Sequence, residues 1–235
     1  MPPRPSAADD IVPAMSHSSP SHCDAPARLV IFGARRTGSS LLVNLLRAQR
    51  NILMHGELFH VRFEDIDGTD GYAGVQRPHD DLLEARRSSP ERLLRHVQCH
   101  AEGHTVVGLK VFRDHMRPNN WHMLTHWCSI CVVLQRDDVA EQYRSLMYAR
   151  STGRWKGRTN RRAFANLTLD AAFDSWRDNT RRWYDFVEAQ LARRGANASV
   201  VKLSFERDLK GAAMEPARLA PLWRALRLSA PSGIT

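Results

Sequence analysis

RLVIFGARRTGSSLLVNLLRAQ, residues 28–49, is the stretch that decides the fold. An apolar run leads into a loop framed by Gly33 and Gly38, and a leucine-rich helical pattern follows at once. This order is typical of a strand, a phosphate-binding loop and a helix, in which backbone N–H groups hold phosphates at the positive end of the helix dipole. The sequence therefore predicts an anion site where this helix begins.

The loop departs from the nucleoside-triphosphate pattern at one position. Gly33 and Gly38 have the spacing of G-x-x-x-x-G-K-[ST], but Ser39 occupies the lysine position. Triphosphate enzymes use that lysine on the β and γ phosphates, so this loop fits a phosphate without a terminal phosphoryl group to transfer. Arg36 is the alternative cation, while a glycine-rich turn with no ligand is the structural alternative. The apolar face of the helix is expected to comprise Leu41, Leu42, Leu45 and Leu46.

Length and charge limit the classes of protein. The chain has 235 residues and 43% hydrophobic residues, enough for the core of one α/β domain. A formal net charge of +9 favours anionic ligands, either nucleotide, nucleic acid or an anionic membrane surface. No basic run is interleaved with aromatic residues, so nucleic acid is the weaker partner. Residues 1–27 are rich in Pro, Ser, Ala and Asp and are expected to be a disordered leader before a domain over 28–235.

Apolar runs and cysteines bear on the compartment. No run approaches the length of a membrane span and no export signal is visible, so we expect a cytoplasmic protein without an integral membrane segment. Four cysteines do not make a disulfide framework in a chain of this size, and reduced thiols are expected. Cys128 and Cys131 follow His126 as H-x-C-x-x-C. In a strand this spacing puts the thiols on opposite faces, which favours buried structural cysteines over a metal or redox pair.

Three further candidate strands each carry a charged residue at or after the carboxyl end. Residues 51–55 precede Glu57, residues 105–112 contain Lys110, and residues 129–135 precede Arg136. Strands that alternate with helices predict an α/β fold, P-loop-like, with a mostly parallel sheet flanked by helices in a single domain. Ligands bind such sheets beyond the carboxyl ends of the strands, so these charges and the phosphate loop should share one rim.

Lys110 leaves two possibilities open, since a lysine in an apolar strand either finds an anion or reaches the surface at the strand end. Residues 60–80 are turn-rich and are expected to form a loop. Helical patterns cover residues 90–102, 171–191 and 217–228, and a last strand covers 199–203. The aromatic stripe of the second helix is expected to pack in the core.

Four motifs in order carry a resemblance: RRTGSSLL, HGELF, VGLKV and RDDVAEQYRSLMYARSTGRW. Together they resemble the sulfotransferases that use 3′-phosphoadenosine 5′-phosphosulfate (PAPS), and among those the bacterial nodulation-factor and trehalose sulfotransferases. The resemblance extends over residues 28–209. It implies a PAPS-dependent enzyme that transfers a sulfuryl group to a hydroxyl of a carbohydrate or glycolipid, with no metal.

The resemblance also implies roles for particular residues. The residues that would bind the 5′-phosphosulfate are Arg35, Arg36, Thr37, Gly38, Ser39 and Ser40. Arg136 and Ser145 would bind the 3′-phosphate, although Asp137 stands where the subgroup often has a second arginine. Glu57 would be the general base, with His55 and His60 as rivals.

Arg36 and Lys110 are expected to neutralise charge during sulfuryl transfer. Two other classes of function stay open. A P-loop small-molecule kinase would lack its lysine here. A catalytically inactive nucleotide-binding homologue is favoured by the short region after residue 209.

Overall fold

Five parallel strands form one sheet in the order β2-β3-β1-β4-β5. The computed structural model describes residues 26–60, 80–86, 88–115, 117, 120–155, 168–194, 198–212 and 215–228. The strands are β1 (Ala27–Gly33), β2 (Ile52–Met54), β3 (Val106–Val111), β4 (Ile130–Gln135) and β5 (Ser199–Ser204). The α/β fold with a parallel sheet is therefore confirmed. The expected leader, apart from its last two residues, and most of the expected loop over 60–80 lie outside the described residues.

Helices cover both faces of this sheet. They are α1 (Ser39–Arg47), α2 (Asp80–Ala85), α3 (Pro90–Cys99), α4 (Trp121–Trp127), α5 (Val139–Thr152), α6 (Ala172–Ala192) and α7 (Ala220–Ala225). Shorter turns are the 3-10 turns Arg113–His115 and Pro216–Leu219 and the π turn Phe205–Leu209. The sequence patterns did not predict α2 or α4. None of the helices in the described ranges is long and apolar enough to cross a membrane.

Alternate residues of β1 enter two separate cores, because successive side chains of a strand point to opposite faces. Val30 and Phe32 pack with α3, α4 and α6, whereas Leu29 and Ile31 pack with α1 and α7. All four side chains are fully buried. A strand buried on both faces reads as a continuous apolar run, which is why this segment was recognisable in the sequence.

The buried faces of α1 and α6 agree to different degrees with those predicted from the sequence. Leu41 is 37% exposed and Val43 is buried instead, so the predicted face of α1 was wrong at that position. The buried positions follow helical spacing from Leu42 to Leu46, and Leu41 falls on the solvent side. In α6 the second half of the aromatic stripe, from Trp183 onward, lies in the core as predicted.

Cys128 and Cys131 form a disulfide, so the expectation of reduced thiols on opposite faces of a strand was wrong for this pair. The reason is that Cys128 is not in the strand. It ends α4, and β4 begins only at Ile130. The turn between the helix and the strand lets the two side chains meet, with their Cα atoms 6.0 Å apart.

Candidate active site

The loop between β1 and α1 has a backbone that suits an anion. Arg36 and Gly38 both have left-handed conformations, with φ of 67° and 82°. Successive N–H groups in such turns form a concave nest for anions. Gly38 is required here, since a Cβ atom would lie 2.4 Å from the ring of Phe205.

Side chains from other elements hold the carbonyl groups of this loop. Gly33 O accepts from Trp183 Nε1 at 3.0 Å, and Arg35 O accepts from Gln142 Nε2 at 2.8 Å. Arg36 O accepts from Arg136 Nη1 at 3.3 Å. Within the described ranges, no acceptor contacts the backbone N–H groups of residues 36–39. The carbonyls are therefore occupied while, among the described residues, the N–H groups stay available to a ligand, an arrangement that phosphate-binding helix starts use.

Trp183 and Gln142 were not predicted as site residues. Trp183 belongs to the aromatic stripe of α6, which was predicted to pack in the core. Its ring is buried in the core as predicted, and its N–H group also donates to the Gly33 carbonyl and so supports the loop. Gln142 is a buried polar residue of α5. Helical spacing marks the face on which it lies, but not that its amide meets a loop carbonyl.

Lys110 connects the phosphate loop to the carboxylate. Its side chain is 1% exposed, and Nζ lies 3.0 Å from Ser40 Oγ and 3.1 Å from Glu57 Oε1. The possibility that it escapes to the surface is therefore wrong, and the lysine has found an anion. Alternation along β3 explains the placement, because Lys110 lies on the face of the sheet that carries α1.

Two basic side chains, Lys110 and His115, lie beside Glu57. Burial alone would raise the pKa of this carboxyl, but the His115 ring and the charge of Lys110 outweigh burial and lower the pKa from 4.5 to about 2. His115 Nε2 lies 3.4 Å from Glu57 Oε2. The carboxylate is thus ionised near neutral pH, and as long as Lys110 is bound it is a weak base.

The two rival bases have different surroundings. His55 is fully buried, and burial together with the charges of Arg47, His104 and His96 lowers its pKa to about 3. His60 lies beside Glu57 and His115. Its Nε2 lies 3.4 Å from Arg35 Nη2, and its ring lies edge-on to that of His115 with 5.3 Å between the centroids.

Glu57, His60 and His115 also place three possible metal-ligand atoms within 4.8 Å of one another. Their surroundings do not suit a cation, because Lys110 contacts Glu57 and Arg35 contacts His60. In addition, the amide N–H of Phe112 donates to His115 Nδ1, so the proton of a neutral ring is on Nε2. To ligate a metal through Nε2, His115 would have to give up that proton or its contact with the Phe112 amide, so this cluster is better suited to proton handling.

Arg36 and Ser145 lie together, as do Arg36 and Arg136. Arg36 Nε donates to Ser145 Oγ at 2.9 Å, and Arg136 donates to the Arg36 carbonyl. Burial and the neighbouring charge of Arg136 lower the pKa of Arg36. Among the described residues Arg36 has only hydroxyl and carbonyl partners and no carboxylate. Two close cations with one uncompensated charge favour an anion at this point.

Arg35 and Arg136 are already paired with carboxylates. Arg35 Nη2 contacts Asp114 Oδ2 at 2.7 Å. Arg136 contacts Glu206 at 2.9 Å and Glu141 at 2.8 Å, and its guanidinium stacks on Phe205. Arg136 thus lies at the predicted rim of the sheet, and its guanidinium is paired with two carboxylates.

Asp137, the acid expected to disturb a phosphate site, faces another way. Its Oδ2 accepts from Ser204 Oγ at 2.6 Å and pairs with Arg207 at 3.2 Å. Among the described residues, the acids that contact Arg136 are Glu141 and Glu206. Glu206 follows β5, and no spacing in the sequence links it to Arg136.

Comparison with known proteins agrees with the resemblance. The chain is 31% identical to Nodulation protein H of Rhizobium tropici over 141 residues, which are 60% of this chain and 52% of that relative. The chain thus spans about half the length of the curated relative it matches. No protein-family model matches the chain. The similarity supports a sulfotransferase-like relationship.

Proposed function

We propose that this chain is a PAPS-dependent sulfotransferase that transfers a sulfuryl group to a hydroxyl of a carbohydrate or glycolipid. The observation that carries the proposal is the position of Lys110, which contacts Ser40 of the phosphate loop and Glu57 at the same time. One buried cation therefore links the loop that is proposed to hold the donor to a carboxylate. A loop with serine at the lysine position fits a sulfuryl donor better than ATP.

The proposed reaction assigns a task to each contact. The acceptor hydroxyl attacks sulfur, and its proton passes to Glu57. The bond between sulfur and the bridging phosphate oxygen breaks, and adenosine 3′,5′-bisphosphate leaves. Lys110 and Arg36 neutralise the negative charge that grows on that bridging oxygen, which stabilises the transition state more than the bound donor.

Lys110 cannot hold Glu57 and the donor equally well. When it turns toward the bridging oxygen, the attraction between the Lys110 charge and the Glu57 carboxylate weakens, and the pKa of that carboxyl rises toward its usual value. The base thus becomes stronger when the donor is in place. This coupling would limit proton uptake by Glu57 in the empty enzyme.

The 5′-phosphosulfate is proposed to lie on the loop N–H groups with Thr37, Ser39, Ser40 and the two arginines before them. The 3′-phosphate is proposed to lie between Arg136 and Ser145, which meet at Arg36. No metal takes part in this proposal. A carbohydrate or glycolipid acceptor rests on the resemblance and on the similarity to Nodulation protein H.

The test is incubation of the protein with PAPS and pools of carbohydrate and glycolipid acceptors, followed by high-resolution mass analysis of the products. A sulfated product that is absent with Glu57→Gln supports the proposal. Phosphorylated product from ATP would instead identify a kinase. Binding of bisphosphate without product from any pool would favour an inactive homologue.

A further inference from the structure

His115 contacts the centre of the proposed site, yet no step above uses it. It ends the 3-10 turn after β3, and its side chain is 1% exposed. Nδ1 accepts the amide N–H of Phe112 at 3.2 Å. A backbone nitrogen can only donate, so Nδ1 is unprotonated and Nε2 carries the proton of the neutral ring.

The Nε2–H group of His115 has one carboxylate oxygen in front of it. Glu57 Oε2 is 3.4 Å away, too far for a good hydrogen bond, and among the described residues Nε2 has no partner with favourable geometry. A buried donor without an acceptor costs free energy, which a small movement of Glu57 would recover. Hydrogen bonds of active sites are often long without substrate and tighten when it binds.

The two oxygens of Glu57 thus face different donors. Lys110 contacts Oε1 and His115 faces Oε2. When Lys110 turns to the donor, the only fixed neighbour of the carboxylate among these contacts is His115. We propose that His115 is a positioning residue for Glu57, whose Nε2–H group holds Oε2 and aims the other oxygen at the acceptor hydroxyl.

Two substitutions separate this role from a structural one. His115→Asn keeps an acceptor near the position of Nδ1 for the Phe112 amide but removes the donor to Glu57. His115→Gln places an amide N–H near the position of Nε2 but loses the Phe112 contact. If His115 only stabilises the turn, His115→Asn should retain more turnover and thermal stability than His115→Gln. If His115 positions Glu57, His115→Gln should retain more turnover than His115→Asn.

The kinetic part of the test rests on the proposed function. We expect His115→Asn to lower kcat about tenfold to a hundredfold with unchanged affinity for adenosine 3′,5′-bisphosphate, because a misplaced base slows the reaction without altering the phosphate sites. His115→Gln should restore kcat to within about threefold of the natural protein. Normal turnover in His115→Asn, or equal losses in both variants with intact thermal unfolding, would overturn the proposal.

A second measurement needs no turnover. ¹⁵N and ¹³C NMR of the full chain should show His115 as the Nε2–H tautomer. The titration midpoint of Glu57 should rise in His115→Asn, because the Nε2–H donor that stabilises the carboxylate form is no longer present. The other charged and titratable groups around this cluster, Lys110, His60, Arg35 and Asp114, are the same in both proteins. An Nδ1–H tautomer or an unchanged midpoint would overturn the contact, whether or not the protein transfers sulfuryl groups.

Discussion

Glu206 Oε1 accepts a hydrogen bond from Arg136 Nε at 2.9 Å, at the point where a 3′-phosphate is proposed to bind. The other carboxylate oxygen of Glu206 accepts from the Asp137 amide at 2.8 Å, so the acid is fixed on both sides. A phosphate that binds Arg136 must compete with this carboxylate for the same guanidinium. We therefore expect the acid to lower the affinity of the proposed site for the nucleotide.

Glu206→Gln should strengthen the binding of adenosine 3′,5′-bisphosphate about fivefold, since removal of the charge weakens the competitor while glutamine keeps an oxygen for the Asp137 amide. Calorimetry measures the change. Glu188→Gln is the matched control, because Glu188 pairs with Lys202 in an exposed ion pair of β5 and α6. Weaker binding in Glu206→Gln would mean that the acid orients Arg136 for the phosphate.

Lys110→Met should lower turnover about 10²- to 10³-fold and change donor affinity much less, because the contact to the bridging oxygen acts mainly in the transition state. Methionine keeps most of the buried stem and removes the charge. Lys202→Met is the control, as Lys202 is an exposed lysine of β5, an edge strand that does not neighbour β3. Turnover equal to that of the natural protein would assign Lys110 a structural role only.

Arg36→Ala should lower turnover in the same way, because Arg36 is proposed to act on the same developing charge. Its contacts to Ser145 and to the Trp155 carbonyl would be lost as well. Thermal unfolding therefore accompanies the kinetics, and a larger effect on donor affinity than on turnover would contradict the proposed role.

Glu57→Gln should lower turnover about 10²- to 10⁴-fold at nearly constant bisphosphate affinity, because glutamine keeps the shape but cannot take the acceptor proton. His60→Asn and His55→Asn are the comparison variants. Activity that survives in Glu57→Gln and disappears in folded His60→Asn would make the histidine the base.

Acid stability provides a test of Glu57 that is independent of substrate. Its pKa of about 2 in the folded protein is lower than the usual 4.5, so its ionised form stabilises the fold above pH 4.5, and this contribution is lost as the pH falls toward 2. Glu57→Gln lacks the contribution at every pH. The difference in unfolding free energy between the two proteins should therefore shrink on acidification, and a constant or growing difference would contradict the depressed pKa.

The sequence located most of the backbone and part of the site, for physical reasons that differ by residue. β1 and the loop to Gly38 were recognisable because continuous apolar strands and glycine-framed turns are local patterns. Lys110 and Glu57 were placed on one rim by the parallel sheet alone. Their direct contact could not be predicted, since it depends on where Ser40 and β2 lie in space.

Other contacts of the site residues could not be predicted, because the two residues of each contact lie far apart in the chain. Glu206 meets Arg136 across 70 positions, and Trp183 meets Gly33 across 150. His115 was missed because nothing in its local sequence shows that its Nδ1 caps the Phe112 amide. The Cys128–Cys131 disulfide was missed because one helix, α4, was not recognised, so that Cys128 was placed in a strand.

The most direct test of the central claim is calorimetry of the purified protein with adenosine 3′,5′-bisphosphate, AMP and ATP. A site that grips a 3′-phosphate through Arg136 and Ser145 gains a charge-assisted contact worth about 1.5 to 3 kcal/mol, so the bisphosphate should bind more than about tenfold tighter than either other nucleotide. Arg136→Ala should remove most of that preference. Equal or tighter binding of ATP would contradict the sulfotransferase account and favour the kinase.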